Sequence, residues 1–105
     1  MPHPVNTSVL DAAASEAASA LARLAHVIGT GGTSLSMRAA ALDRLTESVL
    51  PAVLDALATA GDGLGLYGDD DTDAARGHLD IAELDLRTAI ISAAAARDRL
   101  RMLVK

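Results

Sequence analysis

The chain has 105 residues, half of them hydrophobic, with a net charge of −5, one Tyr, no Phe, no Trp and no Cys. That length is one domain with a small core. The acidic balance (pI 4.9) excludes nucleic acid and anionic membrane surfaces as main partners, and the absence of cysteine excludes disulfides.

Met1-Pro2-His3-Pro4 carries no positive n-region and no apolar h-region, so it is not a Sec signal. No uninterrupted apolar run reaches about 18 residues, so no membrane span is expected. The location implied is cytoplasmic, or secreted without a Sec signal. Two glycine-rich breaks then divide the chain into three helical segments, and no stretch has strand periodicity.

The first segment covers about residues 9–28. Leu10, Ala14, Ala17, Leu21, Leu24 and Ile28 recur at helical spacing on one face. Ser8 and Asp11 have the form of a capping box, and Gly29 stands where a terminating glycine belongs. Gly29-Thr-Gly-Gly-Thr-Ser34 then connects to the next helix. It lacks the preceding strand of a dinucleotide site and the following Lys of a P-loop, so it reads as a connector.

The second segment covers about residues 35–60 and closes at Gly61. Its apolar face holds Leu42, Leu45, Val49, Val53, Ala56, Leu57 and Ala60, widened by Leu50 and Leu54. Asp43, Arg44, Glu47, Ser48 and Asp55 mark its wet side. Pro51 cannot donate to the carbonyl of Glu47, so a kink or short break is expected there.

An acidic, glycine-rich loop follows, Gly61 to Asp73. Asp69, Asp71 and Asp73 alternate, and Asp80 falls twelfth from Asp69, which echoes a calcium loop. The sixth position of such a loop is Gly and the twelfth usually Glu; here they are Ala74 and Asp80. An acidic helix start is the simpler reading, and no metal or other cofactor is assigned.

The third segment covers about residues 73–104. Leu79, Ala82, Leu86, Ala89, Ala93, Ala96, Leu100 and Leu103 form an alanine-rich heptad seam and are the candidate interface. Ile81, Leu84, Ile91, Ala95 and Met102 form a second apolar set beside it. Acidic residues crowd the start of the helix and Arg97, Arg99, Arg101 and Lys105 its end, which complements the helix dipole. The basic cluster is also a candidate patch for an acidic partner. His3, His26 and His78 are scattered without metal-ligand spacing, and no nucleophile–base pattern appears.

A buried Leu contributes about 1.5–3 kcal/mol and a buried methyl only about 0.8. An alanine seam is therefore a weak core for a lone chain, although alanine is the best helix former. The expected fold is all-α: a three-helix up-down bundle, kinked at Pro51, that associates with another chain. The expected function is a non-catalytic protein–protein interaction module. Two alternatives stand beside it: a cytoplasmic regulatory or adaptor subunit that dimerises through its last helix, and a calcium-responsive module.

Val5-Asn-Thr-Ser-Val-Leu-Asp-Ala-Ala-Ala14, with Ala17, Ala18, Leu21 and Leu24 after it, resembles the start of the actinobacterial WXG100/EspC-like type VII secretion substrates. That resemblance covers about residues 5–75. It implies a small acidic helical-hairpin protein, often exported as a dimer without a Sec signal. It also implies a Tyr-x-x-x-Asp/Glu export signal, which Tyr67 and Asp71 match in spacing. The turn at Gly29–Ser34 lacks the family's Trp-x-Gly, and a long third helix stands where the family has a short tail.

Overall fold

Each stretch with helical periodicity is helical in the computed structural model, which describes residues 7–30 and 34–104. The elements are α1 (Thr7–Thr30), α2 (Leu35–Arg44), a π turn (Leu45–Val49), α3 (Leu50–Gly61), a 3-10 turn (Leu64–Leu66) and α4 (Asp70–Leu103). The π turn joins α2 to α3 without a gap, so the described residues make three helices. No strand occurs among them, and the fold is all-α. The chain divides into two units, residues 1–34 and 35–105.

The first unit contains α1, which is longer at both ends than its apolar stripe. Ser8 and Asp11 lie inside the helix, so they do not form its capping box. The residues before Thr7 and those at 31–33, most of the glycine connector, lie outside the described part. Gly29 stays helical, and the Thr30 hydroxyl donates to the Val27 carbonyl at 3.1 Å in the last turn. No residue of α1 is buried; Leu24 and Ile28 are half-buried, and Val9, Leu10 and Val27 are exposed.

The second unit is a hairpin. Its first arm shows how a proline is absorbed. Pro51 lacks the N–H that would bond the Glu47 carbonyl. The turn before it widens, and the Leu50 N–H donates to the Leu45 carbonyl in place of an α bond. The Thr46 hydroxyl adds bonds to the carbonyls of Leu42 (2.8 Å) and Asp43 (3.1 Å). Pro51 then sits in the first turn of α3, where proline is tolerated. The expected break is thus a π turn just upstream, and the helix continues through it.

Gly61 ends the arm in a buried position. A Cβ there would lie 3.0 Å from both Arg76 Nη1 and Leu79 Cδ1, so a side chain in its place would push those two side-chain ends aside by a few tenths of an ångström. Gly63, with φ +80°, turns the chain back. Asp69 then caps α4: its Oδ1 accepts the Thr72 N–H at 2.7 Å. The helix therefore begins at Asp70, three residues ahead of the expected Asp73.

α4 packs antiparallel along α2, the π turn and α3. Arg76 reaches the Gly61 carbonyl at one end, and Arg97 reaches Asp43 and Thr46 at the other. The face it uses is rotated from the predicted one. Leu79, Ala82, Leu86, Ala93 and Leu100 are at least half-buried, as expected for a seam, but Ala89, Ala96 and Leu103 are exposed. Their places are taken by Ile90, Arg97 and Val104, with Glu83 buried beside Ala82. Both registers share Leu79, Leu86, Ala93 and Leu100. The observed one buries Ile90 in place of Ala89 and brings Arg97 against Asp43. On the other arm Leu42, Leu45, Val49, Leu50, Leu54 and Leu57 are half-buried, while Val53, Ala56 and Ala60 are exposed.

Candidate functional site

The most built-up group of polar side chains lies where the ends of the hairpin meet. Arg97 Nη1 donates to Asp43 Oδ1 at 3.3 Å and to the Thr46 hydroxyl at 3.2 Å, with Glu47 Oε1 at 3.5 Å. Arg97 Nε donates to Asp98 Oδ1 at 3.1 Å, and Arg101 Nη2 meets Asp43 Oδ1 at 2.7 Å. The Asp98 hydrogen bond, aided by the charges of Asp98, Asp43 and Glu47, raises the Arg97 pKa against the opposing effect of desolvation. The Arg97 side chain is only 15% exposed, and that of Asp43 27%.

Asp43 is therefore not on the wet side of its helix. Its helix-mates Arg44, Glu47, Ser48 and Asp55 are exposed, as expected. The candidate basic patch is in part consumed within the chain: Arg97 and Arg101 answer the chain's own Asp43, while Arg99 is exposed. Thr46, buried at 5% exposure, was missed because a lone Thr among leucines carries no periodic signal. Beside the cluster is an open groove of about 330 Å³ lined by Ser36, Ala39, Ala40, Asp43, Arg101 and Val104. The arrangement is a clamp between two helices: every charged group in it faces a partner in the hairpin.

The acidic loop is a helix start. Asp69 is the cap, Asp70, Asp71 and Asp73 occupy the first turn of α4, and Asp80 is paired with Arg76 at 3.1 Å. Among the described residues no three His, Cys, Asp or Glu side chains are grouped to hold a metal ion. The backbone N–H of Thr72, and after it the Thr72 hydroxyl, hold the Asp69 carboxyl below its ordinary value of 3.8. A depressed carboxyl stabilises the fold above its unfolded pKa and loses that contribution as pH falls through its folded pKa. The start of α4 should therefore lose helix as the pH falls through the lowered Asp69 value. Asp69→Ser keeps a capping oxygen without the titration, and its far-ultraviolet circular dichroism should lose less helix than the parent between pH 5 and 2.

Tyr67 is 72% exposed, just after the 3-10 turn, and neighbouring Leu66 is 91% exposed. Asp71 is exposed on the first turn of α4. The loop thus presents Tyr67, and the first turn of α4 presents Asp71, the two residues of the Tyr-x-x-x-Asp pattern. His26 and His78 are exposed on their helices, and His3 lies outside the described residues.

The second apolar set of α4 is exposed throughout: Ile81 58%, Leu84 62%, Ile91 71% and Met102 75%. Among the described residues no large side chain is fully buried, so the hairpin seam is shallow. Leu35–Leu66 is long and apolar enough, by length and composition, to cross a membrane, although no uninterrupted apolar run suggested it. The average over such a stretch tolerates a few charges that an unbroken run does not. In the hairpin this segment carries Asp43 and Glu47 toward Arg97 and lies along α4.

No known protein family matches the chain, and neither a curated protein nor a solved structure is similar to it.

Proposed function

We propose that this chain is a non-catalytic helical interaction module that works by burying helix faces against another protein chain. The observation that carries this reading is the exposed apolar set of α4, above all Ile91 at 71% and Met102 at 75%, on a hairpin without one fully buried large side chain. Leaving a stripe of large aliphatic side chains in water costs about 25 cal/mol per Å², and such a stripe is a natural contact surface. In this reading the apolar stripe of α1 (Leu10, Leu21, Leu24 and Ile28) is a further surface for burial. A second chain covers what remains. The Leu35–Leu66 segment stays packed along α4 and does not span a membrane.

Sedimentation equilibrium of the full chain, paired with thermal melting, tests the reading. It predicts a mass above 10.7 kDa at micromolar concentration, or a monomer that melts without cooperativity because its partner is a different protein. A monomer with a sharp, cooperative melt contradicts it, since such a chain needs no partner to complete its core.

A second reading refines the first: the module is a type VII secretion-like substrate, with Tyr67 and Asp71 as its export signal. The exposure of both side chains next to the start of α4 favours it. Tyr67→Ala and Asp71→Ala should each abolish export from a host with that apparatus while the hairpin melts within about 2 °C of the parent, as exposed substitutions do. Export that continues unchanged overturns this refinement and leaves the interaction reading standing.

A further inference from the structure

The faces of α4 assign its partner. At about 100° per residue, Ile81, Leu84, Thr88, Ile91, Ala95 and Met102 share one stripe. That stripe is centred about 170° around the helix from the Leu79–Leu86–Ala93–Leu100 side. The latter side packs on α2 and α3, and the stripe is exposed. Within the hairpin the stripe has no helix against it, and it runs about 31 Å from Ile81 to Met102, three heptads.

The charges select which helix. Over residues 69–85 acidic side chains outnumber basic ones seven to one, and over 86–105 basic outnumber acidic five to one. Asp85 and Arg99 flank the stripe on one edge, Arg87 and Asp98 on the other, and all four are exposed. Turn a second α4 antiparallel about a point near Ser92. Asp85 then faces Arg99 of the second copy, and Arg87 faces Asp98 of the second copy, which also accepts from its own chain's Arg97, on both sides of a two-fold axis. A parallel pairing instead sets acidic half on acidic half and basic on basic.

We propose that α4 pairs antiparallel with α4 of a second copy of this chain through the Ile81–Met102 stripe, centred near Ser92. The proposal rests on the interaction-module reading and names its partner. The contact is isologous, so it closes as a dimer and leaves no open end for growth. Close apolar packing of Leu84 and Ile91 supplies the affinity, and the flanking ion pairs set direction and register.

The test uses the full chain, which has no native cysteine to interfere with labelling. Nitroxide labels go on Ser92→Cys and, separately, on His78→Cys, both exposed positions off the stripe. Antiparallel pairing puts the two Ser92 labels within roughly 20 Å and the two His78 labels about 42 Å apart along the axis. Asp85→Arg should weaken dimerisation about tenfold or more, and the double variant Asp85→Arg/Arg99→Asp should restore it. Equal short distances at both sites mean a parallel pair and overturn the proposal. So does a dimer indifferent to the charge swap, which locates the contact elsewhere while keeping the module reading. A monomer that melts without cooperativity overturns the self-pairing and points to a foreign partner. A monomer that melts cooperatively overturns both.

Discussion

Ile90→Ala should destabilise the hairpin by about 2 kcal/mol, whereas Ala89→Lys, one position away, should change stability by less than about 0.5 kcal/mol. The alanine heptad read from sequence makes the opposite assignment, because it puts Ala89 in the seam and Ile90 outside it. A Lys at a packed seam position would bury an unpaired charge and unfold the pair of helices. The structure leaves Ala89 exposed and half-buries Ile90 between Leu86 and Ala93 on the face toward α2 and α3. Urea denaturation of the two variants measures the rotation of α4 directly: the midpoint of Ile90→Ala falls and that of Ala89→Lys stays near the parent. Equal losses would mean that neither register describes the packing.

Arg97→Ala should lower the melting temperature more than any other substitution of a charged residue in the chain, by on the order of 5–10 °C. The side chain is the hub of the hairpin's open end, with Asp43, Thr46, Glu47 and Asp98 all within 3.5 Å. Its removal leaves Asp43 with Arg101 alone and leaves the buried Thr46 hydroxyl without its cross-helix partner. Arg99→Ala, two residues away on an exposed face, is the control and should melt with the parent. In a double-mutant cycle, Asp43→Ala combined with Arg97→Ala should cost clearly less than the sum of the two single changes. Strict additivity would show that the contacts carry no coupling.

These two predictions mark where sequence reasoning succeeds and where it stops. Helix existence and order follow from apolar periodicity, glycine and alanine propensity, and the three segments are present with ends shifted by a few residues. Pro51 announces a disturbance, and the missing N–H explains both its place and its form as a π turn. The seam of α4 is harder, because alanine is apolar enough to suit either a packed or an exposed position. With alanines at 82, 89, 93, 95 and 96, two heptads compete, and tertiary contacts decide between them. The decisive residue, Arg97, reads locally as a dipole complement at a helix end. Its partner Asp43 lies fifty-four residues earlier, and no local pattern links the two.

The acidic loop shows a second limit of the same kind. Spacing alone echoes a calcium site, while geometry spends Asp69 on a helix cap and Asp80 on an ion pair with Arg76. The candidate recognition residues, Tyr67 and Asp71, are legible as a pattern and exposed in the fold, but their reader lies outside the chain. The apolar stripe of α4 was visible as a second set beside the seam. Its meaning changed once the seam rotated, for the stripe now lies nearly opposite the hairpin contact.

The central claim is that this hairpin is completed by a second chain. Melting the purified full-length protein at 1 µM and again at 100 µM tests it most directly, since a fold shared between two copies gains stability by mass action. The account predicts a melting temperature that rises by several degrees over that range, with the Asp85→Arg variant shifted to the lower end. A sharp transition at one temperature, unchanged across the range and unchanged by Asp85→Arg, would contradict it.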